Sequence, residues 1–410
     1  MTSKIDSNPE KSSVADGLLG IVHVAGVTFS TLAITCWPQH NVVSFPEFWY
    51  EPVPLFPIFS VFIAGYLFWD IKVLFNNQEF STSNSFSILY FICLLGQWIA
   101  FALIYCIWTK YYGYPHPMPL YGGILHLINW FLIYPLAIWM MFPSNLKRRG
   151  STCRKKVFSF IVFNVLRTLL TLGYTSIPSL PIVTNKNWQW TLGILFPLLK
   201  MMNTWWSKKF TRWVFDSDEE MTTTENIITI GAQHTLVLTV VLSSSQIEKW
   251  IPFILIFFDS LMNFLAYRNI IRLHQAGTPA ANELRNRCLK YLALKEYLEF
   301  LVPSAFILSF VGSYMGPNYE IIGGMGSDLW HHEKTNNLIE KLQNIVVFMS
   351  MEMLRGIGFA IALKHRYGLS LYTGCGYIIR KFGWFIFFSV ALAYQLVNSH
   401  YPTSTFQRKF

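Results

Sequence analysis

Seven pairs of polar residues stand inside otherwise apolar stretches of this 410-residue chain: His126/Asn129, Asn164/Arg167, Lys200/Asn203, Gln233/His234, Asp259/Asn263, Glu296/Glu299 and Glu352/Arg355. All but the adjacent Gln233 and His234 are three or four residues apart. On a helix that spacing puts both members on one face. Arg167, Asp259, Glu352 and Arg355 are the candidate site, with His126, Gln233 and His234 behind them. Ionisable groups in this setting suit a pathway for ions, protons or a small polar solute. Histidine is the natural proton carrier, since its ordinary pKa is about 6.5. The structural alternative is an ion-pair network that only fixes helix packing, with Glu352 neutralising Arg355 and Arg167 paired to Asp259.

These residues need elements to hold them, and the segment Asn344–Leu363 shows which kind. It is twenty mostly apolar residues with Glu352 and Arg355 near its middle. Twenty such residues cross a bilayer as a helix. A charge at that depth costs about 2.5–3.5 kcal/mol, so it requires a partner or an aqueous cavity. The expected fold is all-α: a polytopic transmembrane helix bundle closed around a polar interior. Composition agrees, with 53% hydrophobic, 17% aromatic and 13% charged residues. Soluble domains carry about 25% charged residues.

Apolar runs predict about eleven spans: 17–37, 53–75, 86–108, 121–142, 157–177, 188–206, 226–244, 250–267, 297–316, 344–363 and 378–397. With the N-terminus in the cytoplasm, cytoplasmic segments hold 22 Lys and Arg, outer segments seven, and the spans three. That bias follows the positive-inside rule. The expected organisation is a polar cytoplasmic tail over 1–16, one transmembrane domain over 17–397 and a short tail over 398–410. No connection is long enough for a second globular domain. Pro135, Pro197 and Pro303 fall inside spans and predict kinks, since each removes a helix hydrogen bond. Trp188, Trp190, Trp205 and Trp206 bracket the sixth span as interfacial anchors do.

The net charge of +10 is carried by residues flanking apolar runs, so it reads as topology and not as nucleic-acid binding. The lipid bilayer is the expected partner. Lys147, Arg148, Arg149, Arg154, Lys155 and Lys156 form one basic loop that could attract anionic lipid. Cys36 and Cys106 fall near the outer surface and could pair if their helices are neighbours. Cys153, Cys288 and Cys375 fall on the cytoplasmic side and should stay reduced. Asp328, His331, His332 and Glu333 could in principle hold a metal, but adjacent histidines in a Gly-rich loop are ordinarily solvated. No metal site and no cofactor are expected. Phosphate-loop, nucleophile-elbow and zinc-protease motifs are absent from the sequence. A transporter or channel is the leading expectation. The alternatives are a membrane-embedded lipid-modifying transferase using His126 with Asn129, and a receptor or assembly protein with a dry core.

Overall fold

The computed structural model describes residues 9–36, 181–215, 235–242, 247–315 and 335–400, with a few single positions between them. Helices account for nearly all of these residues, and there is no strand among them. In chain order the principal helices are α1 (Pro9–Cys36), α2 (Leu192–Phe215), α3 (Leu236–Leu242), α4 (Ile251–Ala276), α5 (Pro279–Met315), α6 (Thr335–Tyr367) and α7 (Leu371–His400). They lie on the first and the sixth to eleventh expected spans. The second to fifth fall outside the described residues, single positions aside.

Helix α5 is the axis of the bundle and packs against α1, α3, α4, α6 and α7. Its sequence explains this position. Leu292, Leu294, Leu298, Leu301, Val302, Phe306 and Phe310 are all buried, and together they occupy more than one face of the helix. A helix that is apolar on more than one face is covered by neighbours on more than one side. Helix α4 is different. Ile251, Leu255, Ile256, Asn263 and Ile270 are buried at steps of one to seven, while Phe253, Phe257, Leu261, Phe264 and Leu265 are exposed.

The turns between the long helices are short. Helix α4 ends at Gly277, whose φ of 63° is open to glycine and strained for most other residues. Thr278 follows, and its hydroxyl accepts the Ala281 N–H at 3.2 Å, capping α5. Helices α4 and α5 therefore run antiparallel as a hairpin. Helix α6 ends similarly: the Gly368 N–H reaches the Lys364 carbonyl at 3.0 Å and the Leu369 N–H reaches that of Leu363 at 3.2 Å. The first is the bond of an αL cap, with Gly368 at φ 64°. Before α2, the buried Gln189 donates to the Val183 carbonyl at 2.9 Å and accepts the Glu248 N–H at 2.9 Å. One side chain thus pins the lead-in of α2 to the lead-in of α4.

Helix α1 lies against α5 and α7. It starts within the segment expected to be a polar tail, and Asp16 there is buried, with Arg380 of α7 donating to its Oδ1. Higher up, His23 Nε2 donates to the Gly383 carbonyl at 3.0 Å, which leaves Nδ1 to accept from the Tyr297 hydroxyl. Thr28 and Thr31 return their hydroxyls to the carbonyls of Val24 and Val27, at 2.8 and 2.7 Å. The hydroxyls of Thr28 and Thr31 and the imidazole of His23 are thus satisfied without solvent, whereas Asp16 keeps one buried oxygen, Oδ2, without a hydrogen-bond partner.

Three helices are long and apolar enough to cross a membrane: Ala15–Ala33, Ile251–Ala276 and Leu342–Tyr367. Only 22–28% of their most apolar windows is buried inside the protein. Ile21, Phe257, Leu354 and Ile361 stand outward, each more than half exposed. An apolar exterior of this extent is a liability in water and is what lipid requires. The three apolar helices suggest a membrane protein.

Candidate functional site

Four helices deliver seven ionisable side chains to one place at mid-height in the bundle. Lys200 comes from α2 and Asp259 from α4. Lys295, Glu296 and Glu299 come from α5, and Glu352 and Arg355 from α6. Their side chains are between 3% and 13% exposed. Local sequence sets each presentation. Glu296 and Glu299 share a face of α5, as do Glu352 and Arg355 on α6, and the Lys295–Glu299 step of four brings Lys295 into the same cluster.

Asp259 is the first hub. It accepts from Lys200 Nζ at 2.6 Å, from Lys295 Nζ at 2.9 Å and from Arg355 Nη1 at 2.6 Å. These three donors sit on three other helices. Glu299 is the second hub, with Lys200 at 2.7 Å, Arg355 at 3.3 Å and Lys295 at 3.6 Å. Arg355 spans the cluster, since it also reaches Glu296 at 3.2 Å and both oxygens of Glu352. A planar guanidinium with five N–H donors is well suited to holding several carboxylates at once. Asn263, one turn from Asp259, donates to Asp259 at 3.3 Å and to Glu296 at 3.0 Å, and accepts from Lys295.

Gly356 makes room for this arrangement. A Cβ there would come 2.6 Å from Glu296 Oε2. Gly356→Ala is expected to push Glu296 away from Arg355 and Asn263 and to destabilise the protein by about 1–3 kcal/mol. Thermal unfolding in detergent checks this. An unchanged midpoint would mean that Glu296 moves aside without loss.

A cavity of about 20 Å³ adjoins the cluster, lined by Phe196, Lys200, Thr235, Asp259, Glu299 and Phe348 among others. That volume admits about one water molecule. Two prolines flank the same region. Pro197 and Pro303 lie inside α2 and α5, close to Lys200 and Glu299. Each frees the carbonyl four residues earlier, those of Gly193 and of Glu299 itself.

Carboxylate oxygens of Asp259, Glu299 and Glu352 lie within 4.8 Å of one another, a spacing that could hold a metal ion. Lys200, Lys295 and Arg355 already donate to these oxygens. The positive charge at this point is thus supplied by side chains, and the donor set does not fit a resident metal.

Of the residues expected from sequence, the fold brings Asp259, Glu352 and Arg355 together. It adds Lys200, Glu296, Glu299 and Asn263 from the other polar pairs. Lys200, which sequence position would let reach the inner surface, instead turns into the cluster. Arg167, His126, Gln233 and His234 lie outside the described residues, as do the basic loop from Lys147 to Lys156 and the Asp328–Glu333 group. Sequence reasoning missed Lys295, having placed it in a connection. Its signal was the step of four to Glu299. It also missed His23 and Asp16, which have no polar companion at helical spacing. Compared with protein families, with curated proteins and with solved structures, the chain matches none of them.

Proposed function

We propose that this chain is a multi-pass membrane protein, with its N-terminus in the cytoplasm, that moves a small polar or ionic solute through the cluster of Asp259, Glu352 and Arg355. Lys200, Lys295, Glu296 and Glu299 belong to the same site. Arg167, His126, Gln233 and His234 are proposed to extend the pathway on the strength of their spacing in apolar segments.

The observation that carries this reading is the burial of seven ionisable groups from four helices among apolar, outward-facing surfaces. Stability does not account for such a cluster. Well-packed apolar residues of similar volume generally serve the fold as well as buried ion pairs, or better. Ionisable groups inside a membrane are retained mainly for what they bind or pass. The network also has spare bonds. Arg355 meets four carboxylates and each hub meets three cations, so a solute group can take one partner while the others hold. Both signs of charge are on offer. Pro197 and Pro303 weaken α2 and α5 beside Lys200 and Glu299, which gives those helices a place to bend.

A second reading has its own support. Every ionisable group of the cluster already has an opposite partner, and the neighbouring space admits about one water. A closed network of this kind suits a receptor or assembly protein.

Reconstitution separates the two. Purified protein in lipid vesicles is offered labelled alkali cations, halides and small zwitterions. Saturable uptake of at least one class, well above protein-free vesicles, is expected. Folded protein that passes none of them favours the non-transporting reading.

A further inference from the structure

One end of the bundle carries a second concentration of charge, of a single sign. The hairpin of α4 and α5 and the end of α6 meet there. Arg285 Nη1 lies 2.9 Å from His274 Nδ1 across the hairpin. The His274 ring meets that of Tyr367 edge-on at 5.8 Å, and Tyr267 stacks on Phe359 at 5.4 Å. These contacts fix the three helix ends as one surface. It presents Arg268 and Arg272 from α4, Arg287 from α5, and Lys364 and Arg366 from α6. In 268–290 and 364–381 there are nine Lys and Arg and a single acid, Glu283, which is bound to Arg287 at 2.7 Å; of the nine, Arg380 is paired with Asp16 of α1. Arg268, Arg272, Lys364 and Arg366 are exposed and make no ion pair among the described residues.

We infer that this surface binds anionic phospholipid headgroups of the leaflet that it faces. Two features select lipid over a soluble polyanion. First, the cations occupy the last turns of Ile251–Ala276 and Leu342–Tyr367, two of the helices apolar enough to cross a membrane, so they stand where a bilayer's headgroups begin. Second, Tyr367 stands beside His274 among the cations at the helix ends, with Tyr267 about two turns further in against Phe359, and tyrosine favours that boundary. The charge selects anionic over zwitterionic headgroups. This inference rests on the membrane character of those helices and is independent of transport.

The test uses the full chain in nanodiscs of phosphatidylcholine with about 30% phosphatidylserine, counting bound lipid by native mass spectrometry. Phosphatidylserine is expected to be enriched around the protein and to fall away as salt rises to about 0.5 M. Each cation near a charged surface contributes about fivefold in partitioning, so in R268Q/R272Q/K364Q/R366Q the ratio of phosphatidylserine to phosphatidylcholine affinity should fall by well over tenfold and the enrichment should vanish. Lys186→Gln, at the opposite end beside Glu248, should leave it unchanged. All four cations are exposed, so folding should persist; if the quadruple variant fails to melt cooperatively, R272Q/K364Q is read instead, with an expected loss of about twenty-five-fold. Three results would overturn the inference: no enrichment around the parent protein, equal enrichment around the variants, or a soluble acidic peptide displacing the lipid at matched charge concentration.

Discussion

Asp259→Asn is expected to destabilise the folded protein by about 3–5 kcal/mol, the largest loss of stability from any single change in the cluster. The carboxylate accepts from Lys200, Lys295 and Arg355 at 2.6–2.9 Å, and no two of these donors share a helix. Asparagine keeps the shape and removes the charge. Its amide would also turn two N–H donors toward three cations. Glu299 still faces the same three groups, but Lys295 is 3.6 Å from it, so one buried ammonium is left poorly held. The all-ionised sum of the cluster moves from −1 to zero in this variant, because four acids face three bases. A mean-charge argument would therefore predict a gain. Geometry decides the other way, since desolvated charges respond to the nearest oxygen and not to a total. The measurement is the thermal unfolding midpoint in detergent. Pairing Asp259→Asn with Lys295→Met should recover part of the loss, with a coupling of about 0.5–3 kcal/mol. A single variant that melts with the parent would show that Asp259 is not a hub.

How far the site could be read from sequence depends on which relationships are local. Glu352 with Arg355, Asp259 with Asn263, and Glu296 with Glu299 are contacts within one helix, and a period of 3.6 residues makes them visible in the chain. The apolar runs that carry them were equally legible, and helices α4 and α6 lie where hydrophobicity places them. The convergence of these faces on one point was not legible, because helix neighbours depend on packing between residues up to 99 positions apart. Lys295 shows the failure most clearly. It stands just before an apolar run, where a basic residue ordinarily marks the end of a span. The α4–α5 hairpin instead sets it beside Asp259, and α5 continues without interruption from Pro279 to Met315. His23 was hidden for the opposite reason. Its partners Tyr297 and the Gly383 carbonyl are both far along the chain, and one histidine on an apolar helix carries no pattern.

Glu352→Gln should separate function from folding. Glu352 is 3% exposed and, among the described residues, its one ion-pair partner is Arg355. Arg355 in turn keeps Asp259, Glu296 and Glu299 when Glu352 is neutralised. The scaffold therefore loses one bond of several, and the unfolding midpoint should stay near that of the parent. Flux should behave differently. Glu352 is the peripheral carboxylate, bonded to one side chain where the hubs are bonded to three. It is the acid most readily released to a passing solute, and its release is what frees Arg355 to exchange partners. Losing a charged contact of this type costs about 3 kcal/mol, or roughly a hundredfold in rate. Uptake in vesicles is thus expected to fall about a hundredfold while the protein stays folded. The opposite pattern, full uptake with a lowered midpoint, would make Glu352 a packing residue and remove the cluster from the solute's path. Asp259→Asn cannot make this distinction, because it disturbs stability and charge together. The peripheral position of Glu352 is what allows the question to be asked of an intact bundle.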